Sequence, residues 1–390
     1  MNGLDLLLAL VALFAVLGGW RMGFVRRFAS WLGAALGLTV AIVILPDLVD
    51  RLGLESDTTI LLASTALLVL LASIGQGIGA TLGARVHHGV VDSAGARSAD
   101  SAGGAVLGVA AVAVLAWLVV PVMADTAGWP AASARGSTIA RLIDEHLPDP
   151  PPQIAELERQ LAGGRFPQIF SGLRSAPDIP APPEGSPVSE PLLRQAAASV
   201  VRLTSTACGR VQSGSGFVVA PNLVATNAHV VSAAEEVLLE TPDGQRAGGA
   251  VVAFDPRVDL ALVSADLDRP ALPLGDPDQG DRGLVLGFPG GGDFEPSAFE
   301  VGQELTATGF DIYDRSLVRR ELLALASALE PGDSGSAVLR ADGAVVGVAV
   351  AIAPDRPQVA YALHAEELRR LLGTRSGGEQ GPVDTGPCIR

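Results

Sequence analysis

Residues 331–336 read Pro-Gly-Asp-Ser-Gly-Ser, and the role given to Ser334 decides what kind of chain must surround it. A serine flanked by glycines can sit on a sharp backbone turn with its hydroxyl presented. At neutral pH that hydroxyl is a poor nucleophile. It needs a base within hydrogen-bond reach, and the base needs a group that fixes its tautomer. Two upstream stretches carry the residue types. Thr226-Asn227-Ala228-His229-Val230 sets a histidine at the end of an apolar run. Asp255-Pro256-Arg257-Val258-Asp259-Leu260-Ala261-Leu262-Val263 sets Asp259 directly before another. The chain order His, Asp, Ser is one of the known orders for this chemistry. His229 is the candidate base: His146 lies in a proline-rich region, His364 opens the last helical pattern, and His87 with His88 lie between apolar segments. Asp255 precedes a proline and reads as a turn residue, and Ser336 lacks the Gly-x-Ser-Gly frame. The amides of Gly332 and Ser334 are the candidate oxyanion donors.

Around these motifs, from Ala198 onward, the chain alternates short β-rich runs with turns. Val200–Leu203, Gly216–Val219, Leu223–Thr226, Val237–Glu240, Leu260–Val263, Leu284–Gly287, Ala337–Leu339 and Val345–Ala351 are examples. Pro242-Asp243-Gly244 and Ala341-Asp342-Gly343 are turns between them. Short strands at this spacing predict a sandwich or barrel. A helix is expected over His364–Leu372, with Glu366 and Glu367 early and Arg369 and Arg370 late, matching its dipole. Gly290-Gly291-Gly292 reads as a flexible loop near the substrate groove.

Upstream, residues 124–190 form a connector rich in proline. Short amphipathic helices are expected at Arg135–His146 and Gln153–Leu161, with extended chain between and after them. Phe166, Ile169 and Phe170 are an apolar cluster able to dock on the β-rich part. Exposed connectors are preferred cleavage sites, so self-cleavage here is an expectation.

Residues 1–123 are of another kind, with only 7 of the 42 acidic and 6 of the 27 basic residues. A bilayer span needs about 20 apolar residues. Four segments qualify: Leu4–Trp20, Phe28–Leu45, Ile60–Leu82 and Gly104–Met123. The first lacks a basic leader and is followed by more spans, so it reads as a retained helix. Arg21, Arg26 and Arg27 fall in the first loop and Arg85 and Arg97 in the third; the second holds Arg51 against Asp47, Asp50, Glu55 and Asp57. The positive-inside rule then puts both termini, and everything after Met123, outside the cytoplasmic membrane. Gly33 with Gly37, and Gly75, Gly79 and Gly83, have the spacing that lets helix backbones approach. They serve either packing within the bundle or self-association. Asp5, near one end, is the charged residue within a span, which counts against a proton relay.

The formal net charge is −15, lysine is absent, and almost all of the charge sits in residues 124–390. Nucleic-acid binding is excluded, because phosphate contacts need a basic face. No metal or cofactor is expected, for no paired His/Cys spacing or phosphate-cradling loop occurs. Cys208 and Cys388 are the two cysteines. In an oxidising compartment they suggest a disulfide, closing a loop whose entropy gives about 5 kcal/mol; the alternative is two separate buried thiols.

The motifs Thr226–Val230, Asp259–Leu262 and Gly332–Ser336 resemble the trypsin-like proteases of the HtrA group. The four-helix front resembles the CvpA (colicin V production) membrane domain. Together they resemble the MarP family, membrane-anchored acid-resistance serine proteases of actinobacteria. The resemblance implies a four-helix transmembrane domain (1–123), a linker (124–190), and an all-β chymotrypsin-like double β-barrel protease domain (191–390). It also implies a link to acid and oxidative stress, and a disulfide at Cys208 and Cys388. Unlike HtrA proteins, no room is left after Leu372 for a PDZ domain, so caging of that type is not expected. Ser336 stands where many such enzymes have glycine and is expected to affect the wall behind the nucleophile. The primary pocket is expected from Ala328, Leu329 and Glu330 and from Val348, Ala349, Val350 and Ala351. These are mostly small and apolar, implying cleavage after an apolar or small residue, with Glu330 a complication. The resulting expectation is a periplasmic serine endopeptidase acting on cell-envelope proteins. Two other readings compete: a catalytically silent binding module on the same fold, and a membrane export or transport factor with an accessory protease.

Overall fold

In the computed structural model, residues 1–52, 57–91, 93–147, 170, 173–375 and 381–389 are described. The expected helix Gln153–Leu161 and the cluster residues Phe166 and Ile169 lie outside them. The chain packs as two units: Met1–Val120 with Ser137–Asp149, and Pro121–Gly136 with Pro150–Arg390.

The first unit is helical: α1 (Gly3–Met22), α2 (Phe24–Leu52), α3 (Asp57–Val90) and α4 (Ala94–Asp125), with α6 (Thr138–His146) packed on it. Among the described residues, three stretches are long and apolar enough to cross a membrane: Gly3–Met22, Ala66–His87 and Ala94–Asp125. A capping box of Asn2 and Asp5 starts α1, and Gly23, at φ 75°, ends it. The glycines make helix contacts within the chain. Any Cβ on Gly33 or Gly37 of α2 would strike the backbone carbonyl of Gly75 or Leu71 of α3, and one on Gly79 would strike that of Ala29. Gly19 of α1 meets Gly104 of α4 in the same way. Backbones this close leave no room for a side chain, and dispersion between the helices replaces it. Arg27 belongs to α2, not to a loop, and its Nη1 donates to Ala15 O of α1 at 2.8 Å. Asp5 is fully buried. It accepts from Ser137 Oγ (2.6 Å) and the amides of Ile139 (2.9 Å) and Thr138 (3.3 Å), capping α6 from the start of α1.

The expected helix 135–146 is two helices, α5 (Trp129–Arg135) and α6. Gly136 closes the first, and Ser137 caps the second by accepting from Ala140 N.

In the second unit, α7 (Glu190–Ala197) precedes twelve antiparallel strands that close into two barrels. The first is β1 (Val200–Ala207), β2 (Arg210–Ala220), β3 (Leu223–Thr226), β4 (Glu236–Glu240), β5 (Arg246–Asp255) and β6 (Leu260–Ala265), in the order β1-β2-β3-β6-β5-β4. The second is β7 (Arg282–Gly287), β8 (Glu295–Phe310), β9 (Leu317–Ala326), β10 (Ala337–Arg340), β11 (Val345–Ile352) and β12 (Val359–His364), in the order β10-β11-β12-β9-β8-β7. Alternation along these strands fills one barrel with Leu203, Leu239 and Val263 and the other with Phe299, Leu323 and Val338. A third core, with Phe217, Leu262, Leu286 and Leu339, is shared by the two. The last helix is α9 (Ala365–Arg375).

The chain from 173 to 188 is a strap on the second barrel rather than a free spacer. Ala176 and Val188 are buried in the shared core. Ile179 packs over Gly302, where a Cβ would collide with it, and Phe170 meets Tyr361 edge-on at 5.2 Å. The other chain end lies on the first barrel. Val383 N donates to Val251 O (2.9 Å), and Cys388 is joined to Cys208 by a disulfide with Cα atoms 6.1 Å apart.

Candidate active site

Between β3 and β4 the chain makes one helical turn, α8 (Ala228–Val231), which carries His229. Asp259 sits in the tight turn before β6. Its Oδ2 is 2.7 Å from His229 Nδ1, and its Oδ1 accepts from the backbone amide of His229 at 2.8 Å. Both carboxylate oxygens thus bear on one residue. That holds the imidazole in plane, and a proton on Nδ1 would make Nε2 the acceptor. Asp259 is 2% exposed and has φ +72°. Such a conformation costs roughly 1–2 kcal/mol outside glycine. It is held by Asp259 N to Asp255 O (3.0 Å) and Asn227 Nδ2 to Asp259 O (2.9 Å). Asp255 caps the amides of Arg257 and Val258. The other described histidine rings are engaged locally: His146 with Leu142 O, His364 with Glu366 N, His87 with Asp100.

The loop before β10 carries Ser334. Gly332 and Gly335 have φ of +107° and +87°, so the glycine frame is a backbone requirement. A Cβ on Gly335 would strike Ser215 O and come within 3.2 Å of Asn227 N, so the serine loop lies against the histidine loop. Ser336 is fully buried; its amide bonds to Asp333 O, and its Oγ has no partner among the described residues. Its side chain faces the interior.

Ser215, on β2, is the functional residue that sequence reasoning missed. Its amide donates to Ser334 O (2.7 Å), its Oγ donates to Gly332 O (2.7 Å) and accepts from Phe288 N (3.0 Å), and its carbonyl accepts from Thr226 Oγ1 (2.8 Å). One buried residue thus ties the histidine strand, the serine loop and the end of β7 together. The signal was Gly214-Ser215-Gly216, because glycines inside a strand mark close backbone approach.

The run 290–292 is pinned, in contrast to the expected flexible loop. Residues Pro289–Gly291 form a 3-10 turn. Gly290 N donates to Pro331 O (2.6 Å), and Arg202 Nη1 donates to the carbonyls of Gly291 and Gly292. The Pro331–Gly332 peptide is thereby oriented. Its C=O faces Gly290, so the N–H of Gly332 points the opposite way. Among the described residues, the amides of Asp333, Gly335 and Ser336 donate to Glu330 O, Ala349 O and Asp333 O, while those of Gly332 and Ser334 donate to no protein group.

Asp333 Oδ2 accepts from Glu330 N (2.9 Å). Burial pushes its carboxyl up to about 6, against the pull of that amide and reinforced by Glu330 and Glu295.

The expected pocket residues divide. Ala328 and Glu330 are exposed. Leu329 and Ala349 belong to the core of the second barrel, and Val348, Val350 and Ala351 to the shared core. Gly335 N to Ala349 O (2.8 Å) and Ala349 N to Ser336 O (2.9 Å) set β11 beside the serine loop. The C-terminal tail lies behind His229: Ala233 N donates to Thr385 O (3.1 Å), Ser232 Oγ to Pro387 O (3.1 Å), and Tyr313 OH to Thr385 O (2.9 Å). Freeing the tail would therefore disturb the first barrel.

A buried His–Asp pair, a glycine-framed serine and an apolar helical front define a membrane-associated serine protease. A trypsin-like peptidase domain model matches residues 214–348, and a colicin V production protein model matches residues 4–148. The chain is 31% identical over 396 residues to serine protease Rv3671c of Mycobacterium tuberculosis, covering 99% of this chain and 98% of that protein. The crystal structure of the Rv3671c protease in its active form is 32% identical, with a TM-score of 0.52 over 57% of this chain and 100% of that one. Putative serine protease HhoA of Synechocystis is 31% identical over 179 residues, 43% of this chain and 44% of that one. The chain belongs to the family of Rv3671c, the MarP serine proteases.

Proposed function

We propose that His229, Asp259 and Ser334 are the catalytic triad of this endopeptidase, with the amides of Gly332 and Ser334 as its oxyanion hole. The observation that carries this is the double hold of Asp259 on His229, through Nδ1 at 2.7 Å and the backbone amide at 2.8 Å. His229 Nε2 takes the Ser334 proton as Oγ attacks the scissile carbonyl. Asp259 stays ionised and stabilises the imidazolium. Charge develops on the carbonyl oxygen, where the two amides receive it. The imidazolium then protonates the leaving amine, and water releases the acyl group by the same steps reversed.

In this reading the catalytic part is a chymotrypsin-like double barrel at 191–390, reached by the connector 124–190. The front 1–123 spans the cytoplasmic membrane four times, with both termini and the protease outside. The Asp5 cap on residues 137–139 supports an even number of crossings, because it joins the start of α1 to the chain just past α4. Arg21 and Arg26, at the facing ends of α1 and α2, and Arg85 and Arg97, near the facing ends of α3 and α4, support the direction. Substrates are then envelope proteins, cut after a small or apolar residue accommodated by Ala328, Leu329 and Val348–Ala351. The connector is a self-cleavage site, and the enzyme serves survival of acid and oxidative stress.

A fluorophosphonate probe tests the triad on the full-length protein in detergent. Labelling is expected in wild type, absent in Ser334→Ala and strongly slowed in His229→Ala. Undiminished labelling of Ser334→Ala would overturn the assignment.

A further inference from the structure

The turn between β11 and β12 adjoins both segments assigned to the proposed pocket. It continues directly from Ile352, and Ser327 N, one residue before Ala328, donates to Gln358 O (3.0 Å). Three successive residues of this turn are gripped from upstream. Gly128 N donates to Pro354 O (3.0 Å). Ala176 N donates to Asp355 Oδ2 (2.9 Å). Arg356 Nη1 donates to Asp178 Oδ1 (2.7 Å) and to Pro177 O (3.4 Å).

The two gripping pieces are distant in sequence, and one side chain joins them. Arg135 Nε donates to Ala124 O (3.0 Å), Nη1 to Arg174 O (3.0 Å) and Nη2 to Asp125 Oδ1 (3.3 Å). Its own carbonyl accepts from Ser175 Oγ (3.0 Å), and the residue is only 9% exposed. A guanidinium is rarely buried unless its donors are met and its charge paired. Here the planar fork spans two carbonyls and a carboxylate at once. Lysine, a single point donor, cannot reproduce that.

We infer that Arg135 is a positioning residue for substrate specificity. Through Gly128 and Ala176–Asp178 it holds the β11–β12 turn, so the residues that follow the fourth helix set the shape of the pocket. The inference rests on the pocket assignment above. The contacts of His229, Asp259 and Ser334 involve none of these groups, so the chemical step is independent of the clasp.

The test uses full-length protein in detergent micelles: wild type, Arg135→Ala, Arg135→Lys, Asp355→Ala and Ser334→Ala. Three quantities are measured: labelling by a small alkyl fluorophosphonate that does not fill the pocket, kcat and KM on peptides varied at P1, and thermal unfolding. Arg135→Ala should label within about twofold of wild type while its KM rises about tenfold, the equivalent of about 1.4 kcal/mol of uniform binding. Preference among P1 residues should flatten, and Arg135→Lys should give no rescue. Asp355→Ala removes one grip only and should move KM the same way by a smaller factor, which covers the case that Arg135→Ala fails to fold. Wild-type KM and P1 preference in Asp355→Ala and in the folded Arg135 variants would overturn the inference. So would labelling and peptide turnover falling together. Labelling of Ser334→Ala equal to wild type would overturn the catalytic reading instead.

Discussion

The two barrels hold their halves of the site by different means. The first barrel fixes His229 with a side chain: both oxygens of a buried carboxylate grip one residue. The Ser334 loop of the second is held by its own backbone, partly from β2 of the first. Gly332 and Gly335 take conformations closed to other residues, and Gly290 N, Ser215 N and Ser215 Oγ bond to main-chain oxygens of the loop. Each barrel is also braced by a different flanking segment, the first by residues 383–388 and the second by the strap 173–188. One half should therefore fail when atoms are removed, the other when atoms are added.

Removing charge from Asp259 should have the largest effect. In Asp259→Asn an amide faces Nδ1, the imidazole is driven to the wrong tautomer, and kcat should fall about 10⁴-fold with KM little changed. Steady-state kinetics on one peptide checks this. A loss under tenfold would mean that backbone, not Asp259, orients His229. On the other side, Gly332→Ala adds one carbon, which would strike Phe288 O and crowd the amides of Gly290 and Gly291. The peptide must turn and withdraw one oxyanion donor, a loss of about 10²–10³ in kcat. Full activity in that variant would show that the loop is not held by close backbone packing.

The flanking segments separate the halves further. Cys388→Ser frees the tail from Cys208 and should lower stability by about 2–4 kcal/mol. Ser232 and Ala233 then lose their anchors three and four residues past His229. Turnover should fall about tenfold through kcat, with KM kept. Chemical denaturation and kinetics on the same sample check both. A change in KM alone would place the tail's influence on the pocket side and erase the distinction between the two segments.

What the sequence disclosed follows the same division. His229, Asp259 and Ser334 stand in local patterns whose order and flanking residues carry meaning, and the fold brings their three loops to one place. Asp255 was separable from Asp259 because a proline follows it. Ser215 was not legible as a hub, because its bonds reach residues 11 to 119 positions away and depend on barrel closure. The strap has the composition of a spacer. Its few apolar residues, Ala176, Ile179 and Val188, show no strand or helix period among the prolines, and only the barrel surface gives them a partner. In the helical unit the Gly-x-x-x-Gly spacing was visible, while the choice between packing within the chain and between chains needed coordinates.

Asp333 gives the finest test, because it is a side chain in the half that backbone governs. Its carboxyl, raised to about 6 from 3.8, binds its proton more tightly in the folded state than in the unfolded one. The unfolded chain therefore ionises first. Stability falls as pH rises from about 4 through 6 and stays lower above that, a loss of at most about 3 kcal/mol. Asp333→Asn keeps an oxygen for Glu330 N and removes the charge. Its melting temperature should match wild type below pH 4 and exceed it by a growing margin up to pH 7, with kcat at pH 7 within about threefold. A variant less stable than wild type at pH 7 would mean that an ionised Asp333 holds the serine loop. The second barrel would then grip its catalytic residue through a carboxylate, as the first does.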